Sequence, residues 1–178
     1  EVYKRGALRR RTVDNVIDEL LLVKSKLTSI KIIYFGDDVF TISKKWIEEF
    51  APKYKKQIGI PFAVQTYPSF VNNEVINLLK EAGLCAAMIG IQSGSERVRK
   101  EIYFRKTSDK QILNAVEILK NHNIPYSRYD FIHNNPYETR EDKVSTLNLL
   151  LKFPRPFGLN IFQLLWYTKT KLTEKALK

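Results

Sequence analysis

Short apolar runs alternate with amphipathic segments along this 178-residue chain, and that alternation constrains the fold more than any other feature. The apolar runs have the length and flanks of buried strands, and they lie at 29–35, 61–65, 84–91, 126–132 and 159–166. Segments with apolar residues at helical spacing separate them, so that one strand and one helix together take roughly 25–40 residues. This order predicts right-handed βαβ units on a parallel sheet.

Local signals place the ends of the helices. Side chains suited to cap a helix N-terminus precede the amphipathic segments at Thr12, Ser43, Asn72 or Asn73, Ser108 and Thr139. Pro52 is predicted to end the second helix, because proline interrupts the helical hydrogen-bond pattern. Ser95 is predicted to begin a further helix with Val98 and Ile102 on one face. Thr139 and Asp142 resemble a capping box, although the box usually has Glu or Gln at the second position.

Polar residues follow the predicted strands at their carboxyl ends. In a barrel of parallel strands, that rim is where functional sites are assembled from several strands. A Gly-rich dinucleotide loop does not follow the first predicted strand, which argues against a Rossmann enzyme. A curved, barrel-like α/β sheet of about five strands with an open edge is therefore favoured. The polar residues in question are Asp37, Asp38, Gln65, Tyr67, Gln92, Ser93, Asp130, Asn134, Asn135 and Gln163.

The net charge of +11 and the pI near 9.7 have two interpretations. One is an anionic partner such as nucleic acid. The other is that lysines cover the solvent faces of helices, and their even spread along the chain favours this second interpretation. Only Arg9, Arg10 and Arg11 form a local basic cluster. Nucleic-acid binding is therefore the less favoured prediction.

Several classes of protein are disfavoured by composition. No apolar run reaches the ~18 residues that span a bilayer, and the first residues lack the apolar block of a signal peptide, so no membrane association and a cytoplasmic location are expected. The chain has 1 cysteine, Cys85, and 2 histidines. Disulfides and multi-cysteine metal sites cannot be built from one cysteine, and a zinc site is equally unfavoured.

The stretch 84–105 carries the clearest candidate site. An apolar run ends at Gln92, turns through Ser93, Gly94 and Ser95, and enters the segment predicted to be helical. Backbone N–H groups at such a turn, together with the helix dipole, suit an anionic or polyhydroxylated ligand. Gln92 adds an amide that can both donate and accept. The alternative is an ordinary strand-to-helix connection with no ligand.

These residues resemble a known family. The run 90–96 (GIQSGSE) followed by Arg105, Lys106 and Thr107 is similar to the fourth-strand signature of radical S-adenosylmethionine (SAM) enzymes. Further segments resemble other parts of that family in the same order, and they lie at 11–20, 33–40, 129–139 and 153–162. The resemblance extends to the branch with a cobalamin-binding domain, similar to the anaerobic magnesium-protoporphyrin ester cyclases.

The resemblance implies a fold and an activity. The expected fold is α/β, a partial (β/α)6 TIM-like barrel of parallel strands with helices outside, formed by residues 1–178 as a single domain. The expected cofactors are SAM and a [4Fe–4S] cluster, with cobalamin in the parent protein as a further possibility. An electron from the cluster would cleave SAM to methionine and a 5′-deoxyadenosyl radical, which abstracts hydrogen from a small-molecule substrate. A reductant protein such as flavodoxin or ferredoxin would supply the electron.

The resemblance also implies roles for particular residues. Gln92 and Asp130 would face the SAM ribose, and Arg105 would pair with the SAM carboxylate through its fork of N–H donors. Ser93 and Gly94 belong to the same cofactor-binding signature. For two of these residues structural alternatives remain open, because Arg105 could be a surface cation and Asp130 could pair with Arg128.

Two further pairs complete the set of cofactor-binding residues that the resemblance implies. Asp37 and Asp38 would lie near the SAM amino group, although they could instead cap a helix. Asn134 and Asn135 would lie where the backbone meets the adenine. The resemblance assigns no catalytic residue and no metal ligand within this chain.

The sequence also departs from the family. Its cluster cysteines, spaced C-x3-C-x2-C, belong ahead of the helix that begins after Thr12, and Cys85 cannot replace three thiolates. The chain is therefore expected to be a fragment that is inactive alone. The first strand, the cluster loop and any cobalamin domain are expected to lie upstream of it. Its exposed edge would favour dimerisation. The family's usual Pro-Gly-Thr after the sixth strand is replaced by 166–170, and Asn134-Asn135 stands where many relatives have Gly-Leu.

Two other functions remain open. One is a radical SAM methylthiotransferase acting on tRNA, motivated by the positive charge of the chain. The other is a degenerate barrel without a cluster that serves as a binding module.

Overall fold

The computed structural model describes residues 10–177, and its centre is one parallel sheet. The five strands pair in the order β1-β2-β3-β4-β5, so each strand lies beside its neighbour in the chain. Helices connect successive strands, which confirms the predicted α/β fold of a partial TIM-like barrel. The strands are β1 (Ile33–Phe35), β2 (Phe62–Thr66), β3 (Leu84–Gln92), β4 (Tyr126–His133) and β5 (Gly158–Gln163).

The helices begin where the capping residues predict. Thr12, Ser43, Asn72, Ser108 and Thr139 each accept a hydrogen bond from the backbone N–H three residues later. These bonds satisfy donors that the first helical turn leaves free. The helices are α1 (Val13–Lys26), α2 (Lys44–Gln57), α3 (Asn73–Ala82), α4 (Asp109–Asn121), α5 (Arg140–Leu151) and α6 (Lys171–Ala176).

The predicted end of the second helix at Pro52 is wrong. Helix α2 continues to Gln57 with Pro52 inside it. Proline removes one hydrogen bond from the helix interior. The next turn nevertheless buries Tyr54, which is 0% exposed and donates a hydrogen bond from its hydroxyl to the carbonyl of Ile60 at 2.7 Å. Tertiary packing of this turn therefore outweighs the local effect of proline.

Two strands are shorter than the apolar runs suggest. Strand β1 begins only at Ile33, because its partner β2 begins at Phe62 and residues 29–32 have no strand beside them. Strand β5 ends at Gln163 instead of Trp166. The N–H of Leu164 still donates to the carbonyl of His133 at 3.0 Å, but β4 ends there. The next residue, Asn134, has φ of +58°, which turns the chain away from the sheet.

The segment after β3 is a short wide turn and not the predicted regular helix. Residues Val98–Ile102 form a π-helical turn of 5 residues, closed by a hydrogen bond of 3.0 Å from the N–H of Tyr103 to the carbonyl of Val98. Phe104 then takes φ of +54°, which ends the helical path. The hydroxyl of Ser95 accepts from the N–H of Val98 at 3.3 Å, so the predicted cap is present.

The core lies between the sheet and its helices. The outward side chains of the strands, among them Phe62 and Ile89, pack there against aromatic residues of α2, among them Phe50 and Tyr54. On the opposite face of the sheet, Ala63, Ala86 and Met88 form a separate small cluster with Cys85. The Cys85 thiol donates to the carbonyl of Phe62 at 3.2 Å, and burial raises its pKa.

The sheet is open at both sides within the described residues, since β1 and β5 do not pair with each other. Apolar side chains are exposed on these edges, as expected for an incomplete barrel. Tyr34 of β1 is 52% exposed, and Leu159 and Ile161 of β5 are 45% and 55% exposed. No helix of the described part of the chain is both long and apolar enough to cross a membrane.

Candidate functional site

A cavity of about 440 Å³ opens at the carboxyl edge of the sheet. Residues from all five strands or the loops after them meet in it, as the barrel interpretation predicts. The cavity combines positive, negative and amide groups, which suits a polar ligand carrying charges of both signs. The polar side chains that line it include Asp38, Gln65, Tyr67, Gln92, Arg105 and Asp130.

Arg105 is half-buried and faces this cavity. Its Nη1 donates to the carbonyl of Gly90 at 3.3 Å, and its guanidinium carbon lies 5.2 Å from the centre of the Tyr67 ring. Burial lowers the pKa of Arg105, while Tyr67 and Asp38 act in the opposite direction. An arginine keeps its charge under such conditions, so the cavity holds a fixed cation. The alternative that Arg105 is merely a surface cation does not fit this burial.

Gln92 ends β3 with its amide in the same cavity. Its φ is +73°, a left-handed conformation that is uncommon for residues other than glycine. A Cβ atom added at Gly90 would lie 2.6 Å from Nε2 of Gln92 and 3.8 Å from Nη1 of Arg105. Gly90 therefore leaves the space in which these two side chains lie.

Asp130 of β4 lines the cavity and pairs with Arg128. The Nε of Arg128 donates to Oδ1 of Asp130 at 2.8 Å, and Nη2 donates to Oδ2 at 3.2 Å. This side-on bond raises the pKa of Arg128. The pairing with Arg128 that the sequence left open is thus formed, and Asp130 still faces the cavity.

The two adjacent aspartates after β1 lie in different places. Asp38 lines the charged cavity, and its carboxylate acts on the pKa of Arg105. Asp37 lines a separate hollow of about 410 Å³ beside β1 and the start of α1. There it faces Arg10, whose guanidinium carbon stacks 4.0 Å from the centre of the Trp46 ring. Of the other two arginines of the predicted basic cluster, Arg11 pairs with Glu19 of α1, and Arg9 lies outside the described residues.

The Ser93-Gly94 turn packs against α5 and does not line the cavity. The N–H of Gly94 donates to Oγ1 of Thr146 at 2.9 Å, and the N–H of Ser95 donates to Oγ of Ser93 at 3.2 Å. The Ser93 hydroxyl in turn donates to Glu138 at 3.2 Å, and burial raises the pKa of that carboxyl. The prediction that these backbone N–H groups are available to a ligand is therefore wrong.

Asn134 and Asn135 form the turn that follows β4. Asn135 is 3% exposed, and its amide donates to the Tyr103 hydroxyl at 3.1 Å while its Oδ1 accepts from the N–H of Tyr137 at 3.0 Å. A second, mostly apolar hollow of about 460 Å³ lies near this turn and shares Gln92 and Phe162 with the charged cavity. Its other lining residues include Ile102, Phe104, Ile132 and Leu164.

Two residues that the sequence analysis did not assign to the cofactor site support Arg105. Tyr67 was noted only as a polar residue near a strand end, and its ring carries the guanidinium of Arg105. Arg99 was not singled out, yet it is 1% exposed, and its guanidinium donates hydrogen bonds to the carbonyls of Thr107 and Ser93. No local signal marks Arg99, because its partners come from several turns that only the fold brings together.

The described residues provide no ligand set for an iron–sulfur cluster. Within residues 10–177, no three side chains of the types His, Cys, Asp and Glu are placed to hold a metal ion. Cys85, the only cysteine of the chain, lies on β3 among apolar neighbours. A cluster held by three thiolates therefore does not fit the residues described here.

Comparison with known families decides the wider relationship. The model of the Radical SAM superfamily matches residues 2–150. The chain belongs to this superfamily. The match includes Ser93, Gly94 and Ser95, which we term the signature turn, together with Arg105 and β4, so the radical SAM resemblance of the sequence is confirmed.

Individual proteins are similar to this chain in sequence or in fold. An uncharacterized methyltransferase of Pyrococcus horikoshii is 28% identical over 173 residues, covering 95% of this chain and 36% of that protein. The solved radical SAM methyltransferase TsrM from Kitasatospora setae, with cobalamin and a [4Fe–4S] cluster bound, superposes with a TM-score of 0.71 at 15% identity, covering 85% of this chain and 31% of that one. Coproporphyrinogen III oxidase (HemN) from Escherichia coli superposes with a TM-score of 0.67 at 14% identity. This match covers 86% of this chain and 38% of HemN. The chain thus spans between 31% and 38% of the length of these three proteins.

Proposed function

We propose that this chain is the SAM-binding core of a radical SAM enzyme that acts on a small molecule. The observation that carries the proposal is the charged cavity at the carboxyl edge of the sheet. It gathers Asp38, Gln92, Arg105 and Asp130 from separate turns and strand ends into one space of about 440 Å³. That volume lies within the usual range for small-molecule sites.

The chemistry of the cavity fits SAM. The methionine end of SAM is zwitterionic, so it needs a cation for its carboxylate and an acceptor for its ammonium group, which Arg105 and Asp38 offer. The ribose has two neighbouring hydroxyls, which suit the amide of Gln92 and the carboxylate of Asp130. SAM in this superfamily supplies, on reductive cleavage, the 5′-deoxyadenosyl radical that takes hydrogen from substrate.

The remaining predicted residues take supporting roles in this proposal. Ser93 and Gly94 fix the turn that follows Gln92, through the bond of Ser93 to Glu138 ahead of α5 and the bond of Gly94 to Thr146 of α5. Asn134 and Asn135 shape the turn beside the mostly apolar hollow, whose walls suit the faces of a flat aromatic base such as adenine. Asp37 would act on the amino group of SAM only indirectly, since it lines the neighbouring hollow together with Arg10.

The proposal extends to the parts of the whole enzyme. A [4Fe–4S] cluster would be held by cysteines other than Cys85, and its electron would come from a flavodoxin or ferredoxin. Cobalamin is proposed as a further cofactor because the TsrM structure has it bound, as does the structure of OxsB, a cobalamin-dependent SAM radical enzyme that superposes on this chain with a TM-score of 0.66 at 19% identity. Residues 1–178 would form a single domain whose exposed β1 and β5 edges allow dimerisation when it is isolated. An absorption spectrum of the purified longer protein would test for cobalamin directly.

Replacing Arg105 with alanine tests the proposed SAM site. The substitution removes a charge-assisted pair worth about 1.5–3 kcal/mol, so SAM should bind roughly 10- to 100-fold more weakly. The measurement is equilibrium dialysis of SAM with the anaerobically reconstituted longer protein, with circular dichroism to verify the fold. Lys106→Ala is the matched control, since Lys106 is the next cation along the chain and is exposed. Unchanged affinity in Arg105→Ala, or an equal loss in Lys106→Ala, would contradict the proposal.

A further inference from the structure

Arg99 is a charged side chain buried among backbone carbonyls. It is 1% exposed and lies in the wide turn between β3 and α4. Its Nε donates to the carbonyl of Thr107 at 3.0 Å, its Nη1 donates to the carbonyl of Ser93 at 2.7 Å, and its Nη2 bonds to the carboxylate of Asp109. One guanidinium therefore joins the signature turn, the segment that carries Arg105 and the start of α4.

The segment 103–107, which we term the Arg105 arch, depends on these bonds. The N–H of Arg105 donates to the carbonyl of Arg99 at 2.7 Å, so the backbone of Arg99 holds the arch as well as its side chain. Thr107 is bonded twice, through its carbonyl to Arg99 and through its hydroxyl to the hydroxyl of Tyr67. Phe104 takes φ of +54°, a region that bulky residues rarely occupy. The surrounding contacts have to impose this conformation.

We propose that Arg99 is a positioning residue for SAM binding, acting through the Arg105 arch. It does not line the charged cavity, so it would not touch the ligand. By fixing the backbone on both sides of Arg105, it holds that guanidinium over the Tyr67 ring and against the carbonyl of Gly90. The inference rests on the proposed function only in taking SAM as the partner of Arg105.

The geometry requires an arginine at this position. Three acceptors surround the guanidinium in three directions, and its planar fork can donate to all of them at once. A lysine places its donors on one terminal nitrogen and cannot reproduce that spread. Arg99→Lys therefore keeps the charge but loses most of the bonds that fix the arch.

A double-mutant cycle on SAM affinity tests the inference in the longer protein. Arg99→Met should weaken SAM binding at least tenfold, and the double variant Arg99→Met/Arg105→Ala should bind no more weakly than Arg105→Ala alone. Losses that multiply would overturn the inference, because Arg99 would then act independently of Arg105. An Arg105→Ala variant with full affinity would instead contradict the proposed function, so the two failures are distinct.

Hydrogen exchange provides a readout that needs neither SAM nor a cluster. In the unliganded protein, Arg99→Lys should speed amide exchange at Arg105, whose N–H bonds to the carbonyl of residue 99. Lys100→Met is the matched control, since it removes an exposed cation from the same turn and should leave that exchange unchanged. Arg99→Lys also addresses any failure of Arg99→Met to fold. Wild-type exchange and wild-type SAM affinity in Arg99→Lys would overturn the inference.

Discussion

Replacing Gly94 with alanine is expected to lower the free energy of unfolding by roughly 3 kcal/mol, at the upper end of the usual cost of overpacking. An added Cβ would lie 2.3 Å from Cα of Thr146 and 2.9 Å from the carbonyl oxygen of Ser145. Both are backbone atoms of α5, so no change of rotamer relieves the contact. The signature turn would have to move away from α5, which also breaks the bond from the N–H of Gly94 to Thr146.

Thermal unfolding measures this effect, and Gly36→Ala is its control. A loss of roughly 3 kcal/mol lowers the Tm of a domain of this size by roughly 6–12 °C. A Cβ at Gly36 would meet only the ring of Tyr34, at 4.0 Å, so that variant should unfold close to the wild-type temperature. Equal Tm values for the two variants would contradict the packing argument. Loss of SAM binding in Gly94→Ala at an unchanged Tm would show instead that a ligand approaches this glycine.

The elements of this fold could be predicted because their signals are local. A capping side chain and the apolar stripe that follows it lie within a few residues of each other, so Thr12, Ser43 and Ser108 mark helix starts reliably. The parallel order of the strands follows from the alternation of strand and helix. The predicted helix end at Pro52 is wrong because the burial of Tyr54 outweighs the local effect of proline. That burial depends on how α2 packs in the fold.

The position of the site could be predicted from the sequence, but the contacts and directions of its side chains could not. Strand ends gave the rim, and Gln92, Arg105 and Asp130 do line one cavity. Asp37 and Asp38 are indistinguishable in sequence, yet the backbone places them at different hollows. Short-range patterns carry no information about such directions in a loop.

Polar contacts that form only once the chain has folded explain the largest omission. The partners of Arg99 include Ser93, Thr107 and Asp109, which converge only after the wide turn has formed. The Gly-Ser turn failed as a source of ligand donors for a similar reason. Its N–H groups are used within the fold, one of them by Thr146, which lies 52 residues away along the chain.

Asp142 of α5 is bonded to residues that are distant along the chain, 47 and 45 positions away at Ser95 and Arg97. It is 6% exposed, accepts from the Ser95 hydroxyl at 2.5 Å and from the N–H of Thr139 at 2.9 Å, and forms an ion pair with Arg97. Both bonds of the capping box at Thr139 are present, so aspartate serves in place of the usual glutamate. Burial alone would raise the pKa of Asp142, but the bonds from Arg97, Ser95 and Thr139 outweigh it and hold that pKa well below its usual range.

Asp142→Ala is expected to cost roughly 2–3 kcal/mol of unfolding free energy, because the buried Ser95 hydroxyl loses its acceptor and the ion pair with Arg97 and the capping bond at Thr139 are lost with it. Since the pKa of Asp142 is lower in the folded state than its ordinary value of 3.8, its stabilising contribution is complete above that pH and disappears as the pH falls further. Urea unfolding at pH 7, 5 and 3 should therefore give a constant gap from wild type at the two higher values and a smaller gap at the lowest. Asp18→Ala, which removes an exposed aspartate of α1, should stay near wild type throughout. A gap for Asp142→Ala that does not shrink in acid would mean that its ionised carboxylate is not what joins the signature turn to α5.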